Sequence, residues 1–370
     1  MVDAIVVGAG QAGLATAHHL QRRGLPFLML EAGARPVGSW LRHYDSLKLF
    51  SPARYAALPG LPFPGDPDHY PARDEVTAYL EAYARQHRVP LVTGADVTQV
   101  LPTGAAFRVL TGDGRTFSTR TLVAATGTYR TPRVPELPGH ASFQGRTLHS
   151  LEYRQPDPFR GERVVVVGAG NSAVQIAVEL ARMARVTLAA RTPVPFVPQR
   201  PLGRDVHDWI TWLQVDQLPL GQFGRLPSPR SVFDPGTYRA AFREGRLDQR
   251  PMFARFTARG VVWSTGREEA VDSVVFATGY RTGLEYLFGT GALDVRGEPV
   301  QRLGRSLTVP GLYYAGLSGQ RAFASATLRG AGPDAELVVR YLAGHLQRQS
   351  SGPPGGPLAP LRAAWKARRR

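Results

Sequence analysis

Two stretches of the chain share one order of apolar and polar segments. In the first, an apolar run from Ala4 to Val7 leads into a glycine-rich turn and a periodic segment at 14–20, and a second apolar run covers 27–30. Short continuous apolar runs beside glycine predict buried parallel strands, and the periodic segment predicts the crossover helix. This stretch is therefore expected to form a βαβ unit.

The second stretch repeats this order 160 residues later. Strands are predicted at 163–167 and 186–190, on either side of a helix at 174–180. An internal repeat of this kind duplicates one supersecondary unit. The chain is therefore predicted to be an α/β protein with two Rossmann-like dinucleotide-binding domains.

Each copy continues into a hairpin and then a strand that ends in Ala-Thr-Gly. In the first copy, strands predicted at 107–110 and 115–118 flank a Gly-Asp-Gly turn, and a third strand runs over 122–127. In the second copy, a strand at 261–264 turns near a glycine, and the final strand runs over 274–279. Such turn residues favour short hairpins, so both units are expected to carry the same β-meander.

The turn in both copies has the spacing Gly-x-Gly-x-x-Gly/Ala. The first glycine permits a tight turn, the second lets the backbone approach a pyrophosphate, and the small third residue allows helix and strand to pack. The diphosphate then binds at the helix N-terminus, where free N–H groups and the helix dipole favour an anion. These positions are Gly8, Gly10 and Gly13 in the first copy and Gly168, Gly170 and Ala173 in the second.

The end of the second strand distinguishes the two sites. Glu31 and Arg191 each lie 23 residues after the first glycine of their motif. A carboxylate here accepts hydrogen bonds from ribose hydroxyls and repels a 2′-phosphate, so the first site suits FAD or NAD. A guanidinium pairs with a 2′-phosphate, and Thr192 adds a hydroxyl donor, so the second site suits NADPH. A surface arginine at a strand end is the alternative for Arg191.

The positions of the repeats predict that the NADPH-binding domain is inserted in the FAD-binding domain. We assign residues 1–157 and 281–349 to the FAD-binding domain and residues 158–280 to the NADPH-binding domain. Residues 193–259 interrupt the second domain and are rich in proline, glycine and arginine. This insertion is either a cap over the nicotinamide cleft or a solvent-facing excursion with a small aromatic core, and the sequence favours neither.

Composition narrows the classes of function. The chain contains no cysteine, which excludes thiolate metal sites, thiol nucleophiles and reductases that use a dithiol pair. Its net charge of +16 would suit a polyanion, but the arginines are scattered and the only dense run is 366–370. We expect a disordered basic tail at 350–370, no nucleic-acid partner, no metal site, no membrane span and a cytoplasmic protein.

The segment before the second glycine motif resembles a family signature. Residues 143–154 read Phe-Gln-Gly-Arg-Thr-Leu-His-Ser-Leu-Glu-Tyr-Arg, which fits the Phe-x-Gly-x-x-x-His-x-x-x-Tyr-Arg pattern of flavin-containing monooxygenases. Residues 276–280, Phe-Ala-Thr-Gly-Tyr, strengthen the match, which runs from Ala4 to about Ala343. The resemblance makes the 143–154 stretch a hinge between the domains, without an acid–base role for His149.

The resemblance also implies which residues contact the cofactors. Ser39 and Trp40 are placed against the flavin, although Trp40 alone is equally compatible with a core position, and the loop at 47–52 approaches the flavin ring. Further residues assigned to the FAD site are Val97, Thr126 and Gly127. Asn171 and Ser172 follow the Gly-x-Gly-Asn-Ser pattern of the family and are assigned to the NADPH pyrophosphate.

Two positions depart from the family pattern. Phe50 stands where many members have an asparagine that supports the oxygenated flavin and the nicotinamide. Gln320 stands near a place where related flavoproteins have aspartate beside the flavin, and it is expected to substitute by hydrogen bonding. These two residues are the flavin-proximal candidates, and both changes argue against efficient oxygenation.

The resemblance implies an enzyme whose chemistry belongs to its cofactors. NADPH would reduce FAD, and O2 would react to give a C4a-(hydro)peroxyflavin that oxygenates a small soft nucleophile or a ketone. Two alternatives remain: an NADPH oxidase or flavin reductase without productive oxygenation, and a pyridine-nucleotide sensor accessory to ion transport. The expected partners are a small substrate and O2, and a homodimer is left open.

Overall fold

The computed structural model describes residues 1–223, 226 and 231–350. The predicted basic tail, from residue 351 onwards, lies outside these residues. The described strands, in chain order, are β1 (Val2–Val7), β2 (Phe27–Leu30), β3 (Leu91–Val92), β4 (Val97–Thr103), β5 (Ala106–Thr111), β6 (Thr116–Ala124), β7 (Thr131–Pro132), β8 (Arg146–His149), β9 (Arg163–Val167), β10 (Arg185–Ala190), β11 (Phe196–Pro198), β12 (Val232–Asp234), β13 (Leu247–Pro251), β14 (Arg255–Thr257), β15 (Gly260–Val262), β16 (Glu268–Ala270), β17 (Ser273–Phe276), β18 (Tyr280–Arg281), β19 (Gln301–Arg302), β20 (Arg305–Ser306) and β21 (Leu312–Tyr314). The described α-helices are α1 (Gln11–Arg22), α2 (Arg73–Gln86), α3 (Asn171–Leu180), α4 (Val206–Leu213), α5 (Thr237–Arg243) and α6 (Leu328–Ser350).

The first sheet has the strand order β19-β20-β21-β6-β1-β2-β3, and the hairpin β4–β5 is attached to β6. Strand β1 pairs in parallel with both β2 and β6, so that Val7 lies beside Leu30 on one side and Ala124 on the other. Parallel strands with crossover helices are covered on both faces, which explains their continuous apolar runs. The βαβ unit predicted at the start of the chain is confirmed.

The second sheet repeats this arrangement with the order β13-β10-β9-β17-β8, and all its strands are parallel. The α/β fold with two Rossmann-like units is therefore confirmed. Strand β8 pairs with β17 through all four of its residues. Residues 146–149 thus belong to the second sheet, ahead of the boundary expected at residue 158.

Two short strands connect the sheets. Strand β7 lies on the segment that enters the second sheet, and β18 lies on the segment that leaves it. They pair antiparallel, with Thr131 beside Arg281 and Pro132 beside Tyr280. The two crossings of the chain are therefore held side by side at the junction.

The meander of the first unit differs from the expectation in one respect. The segments expected at 115–118 and 122–127 form one continuous strand, β6, because no turn residue separates them. Thr119 and Thr121 are fully buried, and their hydroxyls donate to backbone carbonyls of β1 and β6. In the second unit, β14, β15 and β16 form a separate three-stranded antiparallel sheet.

The insertion at 193–259 packs on the first domain. The carboxylate of Asp208 on α4 accepts hydrogen bonds from Arg54 at 2.7 Å and Tyr55 at 2.6 Å. Asp216 accepts from the Arg329 guanidinium of α6 at 2.8 Å. The described part of the insertion is thus hydrogen-bonded to the first domain through Asp208 and Asp216.

The helices are short or amphipathic, and they cover the sheets. Helix α6 packs along α1 and contributes Leu328, Val338 and Leu342 to the core beside the first sheet. Within the described residues, no helix is long and apolar enough to span a membrane.

Candidate functional site

One cavity of about 920 Å³ lies where the two glycine motifs approach each other. Its walls come from the first motif, the loop after β2, the ends of β6 and β17, and the start of α3. From the predicted sites, the lining residues are Gly8, Gly10, Glu31, Ser39, Trp40, Phe50, Val97, Thr126, Gly127, Gly170, Asn171 and Ser172. The fold therefore joins both predicted dinucleotide sites in one continuous space.

The first glycine motif requires glycine for steric reasons. Gly8 has φ +100°, and a Cβ there would lie 2.6 Å from the carbonyl oxygen of Ala125. A Cβ on Gly13 would lie 2.0 Å from the Gly8 carbonyl oxygen. A Cβ on Gly10 would have Cα of Gly38 as its nearest neighbour, 3.6 Å away, so the backbone there is open to a ligand. The motif thus forms the close turn and open cradle that a diphosphate requires.

Glu31 is held at the cavity wall by backbone N–H groups. Its side chain is only 6% exposed, and its two carboxylate oxygens accept from Ala9 N–H at 2.7 Å and Gly33 N–H at 2.8 Å. Each carboxylate oxygen has two lone pairs, so both still have capacity for a ribose hydroxyl. The side chain is therefore fixed in place and remains available as an acceptor.

The loop after β2 closes over the first motif. Gly38 has φ +55°, and a Cβ there would lie 2.9 Å from Cα of Gly10. Trp40 Nε1 donates to Gln11 Oε1 at 2.8 Å, and Gln11 Nε2 donates to the Ala326 carbonyl at 2.9 Å. Trp40 both packs against the apolar core and lines the cavity, so the two interpretations of this residue coexist.

The second motif reproduces the geometry of the first. Gly168 has φ +146°, and a Cβ there would lie 2.5 Å from the carbonyl oxygen of Ala277, just as Gly8 meets Ala125. A Cβ on Gly170 would meet nothing within 4 Å. Asn171 Oδ1 is buried and has no hydrogen-bond partner among the described residues. The start of α3 therefore has an unobstructed backbone at Gly170 and a polar atom, Asn171 Oδ1, that could bind a ligand.

Arg191 and Thr192 follow the end of β10 and are exposed. They are not among the residues that line the cavity. Arg191 forms no ion pair with a carboxylate in the described part of the chain, so its guanidinium is free for an anionic ligand. Their role in coenzyme choice stays a prediction.

Phe50 lines the cavity and is supported from behind by the insertion. Its ring centroid lies 5.4 Å from that of Phe233 and 6.1 Å from that of His207, which stacks on it. The Gln199 side chain donates to the Phe50 carbonyl at 3.0 Å. The described insertion contributes no residue to the cavity lining itself. Its described part therefore supports one wall of the cavity from behind, and a role as a cap over the cleft stays a prediction.

Asp205 organises this support. Burial opposes its ionisation, but hydrogen bonds from His207, Tyr70 and Gln199 lower the pKa of Asp205 to about 2. His207 donates through its backbone N–H and its Nδ1, both at 2.8 Å, and Gln199 Nε2 donates at 2.8 Å. The ionised carboxylate thus connects the two residues that hold Phe50 in place.

Gln320 is not where the resemblance places it. Its side chain is 2% exposed and is absent from the cavity lining. Its Oε1 accepts from Leu317 N–H at 3.3 Å, and its Nε2 would lie 2.4 Å from a Cβ on Gly304. The tight turn at 317–320 directs the side chain into the protein. Gln320 therefore lies outside the cavity lining, and its expected substitution for the aspartate stays a prediction.

His149 is buried, and burial lowers its pKa. Its Nδ1 accepts from Leu151 N–H at 3.2 Å, which places the proton on Nε2, the atom that donates to the Gly279 carbonyl at 3.0 Å. The neutral imidazole packs edge-on against Tyr280, with ring centroids 4.8 Å apart. His149 thus joins strand β8 to the segment after β17 at the junction between the sheets.

The cavity lining includes residues that the sequence analysis did not predict, among them His43, Tyr44 and Tyr129. Burial, together with the charges of nearby arginines, lowers the pKa of His43 to about 4, so this imidazole is neutral. Its ring centroid lies 5.5 Å from that of Tyr129. No local motif marks these residues, although His43 and Tyr44 closely follow Trp40 and Tyr129 closely follows the Ala-Thr-Gly after β6.

Comparisons with known proteins agree with this geometry. Residues 5–210 match the family model described as pyridine nucleotide-disulphide oxidoreductase. The chain is 31% identical over 349 residues to a CzcO-like oxidoreductase of Geobacillus kaustophilus, covering 93% of this chain and 99% of the relative. It is 34% identical over 327 residues to an indole-3-pyruvate monooxygenase of Oryza sativa subsp. japonica, covering 79% and 80% of the two chains.

Among solved structures, a flavin-containing monooxygenase from Stenotrophomonas maltophilia superposes with a TM-score of 0.83 at 34% identity, covering 93% of this chain and 99% of that one. A double mutant of a flavin monooxygenase from the same organism matches equally well. The resemblance noted from residues 143–154 is confirmed. The chain therefore belongs to the pyridine nucleotide-disulphide oxidoreductase family, with flavin monooxygenases among its relatives, and is a flavin-dependent oxidoreductase.

Proposed function

We propose that this protein is a monooxygenase that binds FAD, oxidises NADPH and transfers one oxygen atom of O2 to a small soft nucleophile or a ketone. The observation that carries the proposal is the single cavity lined by both glycine motifs. Two dinucleotides bound in one continuous space can bring a nicotinamide and a flavin into contact, which hydride transfer requires.

The first site fits FAD. The Gly10 backbone is open to a diphosphate, the N-terminus of α1 favours its charge, and Glu31 is held as an acceptor for the ribose. Trp40 and the loop before Phe50 provide apolar walls for a flavin ring. When bound, FAD supplies hydride acceptance and reactivity with O2, and the residues of this chain bind it, orient it and exclude water.

The second site fits a pyridine dinucleotide. The Gly170 backbone is unobstructed, and Asn171 Oδ1 lacks a partner among the described residues. The exposed Arg191 and Thr192 support a preference for the 2′-phosphate of NADPH. The Stenotrophomonas maltophilia double mutant carries engineered Arg and Thr at adjacent positions, the same residue pair.

The overall reaction balances without a further reductant. NADPH, a proton, O2 and the substrate give NADP⁺, water and the oxygenated product, and NADPH supplies both electrons. The test is to measure NADPH consumed, H2O2 released and product formed with a panel of sulfides, amines, ketones and α-keto acids. The α-keto acids are included because one relative is an indole-3-pyruvate monooxygenase.

A second candidate is an NADPH oxidase, and the apolar Phe50 in the cavity wall favours it. Product formation that accounts for most of the NADPH consumed supports the monooxygenase. Stoichiometric H2O2 with every substrate supports the oxidase. Tight binding of both cofactors with negligible NADPH turnover contradicts both enzymes and supports a pyridine-nucleotide sensor.

A further inference from the structure

Tyr44 belongs to the first domain in sequence, but its side chain lies in the core of the second. It is 2% exposed and packs in the apolar cluster formed by α3 and the second sheet. Its ring centroid lies 6.1 Å from that of Tyr153, another member of this cluster. The loop that carries Trp40 and Phe50 is therefore anchored in the other domain.

The hydroxyl of Tyr44 contacts the first turns of α3. It donates to Gln175 Oε1 at 2.7 Å. Burial raises the pKa of Tyr44, and a hydrogen bond with Ser172 opposes this rise. The neutral hydroxyl therefore connects a first-domain loop to two side chains in the first turns of α3.

The backbone next to Tyr44 is also fixed. The carbonyl of His43 accepts from Arg73 at 2.8 Å and from Arg154 at 2.9 Å. Asp45 N–H donates to the Arg154 carbonyl at 3.0 Å. Arg154 follows β8, which belongs to the second sheet. The position of the Tyr44 hydroxyl is thus determined by both domains.

Tyr44, Ser172 and Gln175 all line the cavity, beside the open backbone of Gly170. An anionic group bound at the start of α3 would contact Ser172 and lie next to the Tyr44 hydroxyl. The Tyr44 hydroxyl therefore connects the loop that carries Trp40 and Phe50 to the start of α3, where a diphosphate is expected to bind.

We propose that Tyr44 is a positioning residue for the pyridine dinucleotide: its hydroxyl holds Ser172 and Gln175 in the orientation that binds the diphosphate. The proposal rests on the proposed function of the second glycine motif. It assigns to the first domain a part of the second nucleotide site. Tyr44 acts through α3 and is not a catalytic residue.

The test compares two variants with the same chemical change in the same core. Tyr44→Phe removes the hydroxyl that donates to Gln175, in a residue that lines the cavity. Tyr153→Phe removes a buried hydroxyl that donates to Glu179 at 2.7 Å and does not line the cavity. The dissociation constant of NADP⁺ is measured by titration of the flavin spectrum, with FAD content and Tm measured in parallel.

We expect Tyr44→Phe to weaken NADP⁺ binding about five-fold, the equivalent of one hydrogen bond of about 1 kcal/mol, with full FAD content. Tyr153→Phe should leave NADP⁺ affinity unchanged. Equal NADP⁺ affinity in the two variants would overturn the proposal and leave Tyr44 as a core residue. If the unmutated protein binds neither NADP⁺ nor NADPH, the proposed function itself fails.

A second variant tests the same hydrogen bond from its other partner, so that the proposal can be tested even if Tyr44→Phe folds poorly. Gln175→Leu removes the acceptor of the Tyr44 hydroxyl on the cavity side of α3. If the two residues act through one hydrogen bond, the double variant weakens NADP⁺ binding no more than the stronger single variant. Additive losses of affinity would contradict a shared role.

Discussion

Glu31 and Arg191 occupy equivalent places in the two copies of one fold, but Glu31 is buried while Arg191 is exposed. Glu31 is held by the N–H groups of Ala9 and Gly33, whereas no carboxylate in the described residues pairs with Arg191. The buried acceptor suits a permanently bound cofactor, and the exposed cation suits a coenzyme that enters and leaves. The first two predictions test this division of roles. The third tests the part of the cavity wall that Phe50 forms.

Glu31→Gln should lower FAD affinity sharply. The amide replaces one carboxylate oxygen with an NH2 group that faces the N–H of Ala9 or Gly33, so a donor is left unsatisfied and the ribose loses an acceptor. We expect at least about a ten-fold rise in the FAD dissociation constant. The flavin-to-protein ratio after gel filtration measures this change.

A matched control for that variant is Asp113→Asn, a surface carboxylate that pairs with Arg115 in the turn between β5 and β6. It should retain its full FAD content. Unchanged flavin content in Glu31→Gln would show that Glu31 has only a structural role at the end of its strand.

Arg191→Ala should remove most of the preference for NADPH over NADH. A charge-assisted contact with the 2′-phosphate is worth about 1.5 to 3 kcal/mol, or roughly 10- to 100-fold in kcat/KM. The loss should appear mainly in KM, because the phosphate lies far from the reacting ring. Steady-state kinetics with both coenzymes measures it.

Arg185→Ala is the control, since Arg185 is exposed at the opposite end of the same strand. It should retain the coenzyme preference. Equal use of NADH and NADPH by the unmutated protein would contradict the assignment of Arg191 while leaving the dinucleotide fold in place.

Phe50→Asn should raise the fraction of NADPH electrons recovered in product and lower the H2O2 yield. The amide adds to the cavity wall a hydrogen-bonding group, which the resemblance to flavin-containing monooxygenases implies at this position and which Phe50 lacks. The variant should also lose about 2 kcal/mol of stability, because the ring stacks on His207 and packs against Phe233. Product and H2O2 are assayed together per NADPH consumed.

Phe233→Leu provides the comparison for Phe50→Asn. It removes the aromatic ring that packs against Phe50 on the side away from the cavity, and Phe233 itself does not line the cavity. It should lower the Tm without changing the ratio of product to H2O2. Identical ratios in the two variants would mean that Phe50 affects packing alone.

Asp205 should make the protein acid-sensitive. Its folded-state pKa of about 2 lies below the ordinary value of 3.8, so its stabilising contribution is present above about pH 4 and is lost as the pH falls towards 2. The contribution is about 2 kcal/mol at neutral pH. Urea unfolding at pH 7 and at about pH 3 measures the difference.

In Asp205→Asn the free energy of unfolding should be lower at pH 7 and should fall less on acidification. Glu244→Gln, an exposed carboxyl at the end of α5 in the same insertion, should behave as the unmutated protein. If Asp205→Asn retains the full acid dependence, other carboxyl groups are responsible for it.

Local pattern in the sequence was sufficient for the two Rossmann units. Strands β2 and β9 have the predicted bounds, because each is a short apolar run that ends at a turn or a glycine motif. Gly8 and Gly168 were predictable for a related reason: a tight strand-to-helix turn leaves no room for a Cβ, and this requirement appears directly in the motif. Glu31 and the start of α3 follow from their fixed spacing to these glycines.

The tertiary structure alone decided the contacts between distant segments. Tyr44 lies in the core of the other domain, Asp205 and His207 support Phe50 from an insertion, and Gln320 lies outside the cavity lining. Each of these outcomes depends on which of several neighbouring surfaces a side chain packs against. Periodicity and spacing describe only the geometry of one element and its neighbours, so contacts across more than a hundred residues emerge only when the whole chain is packed.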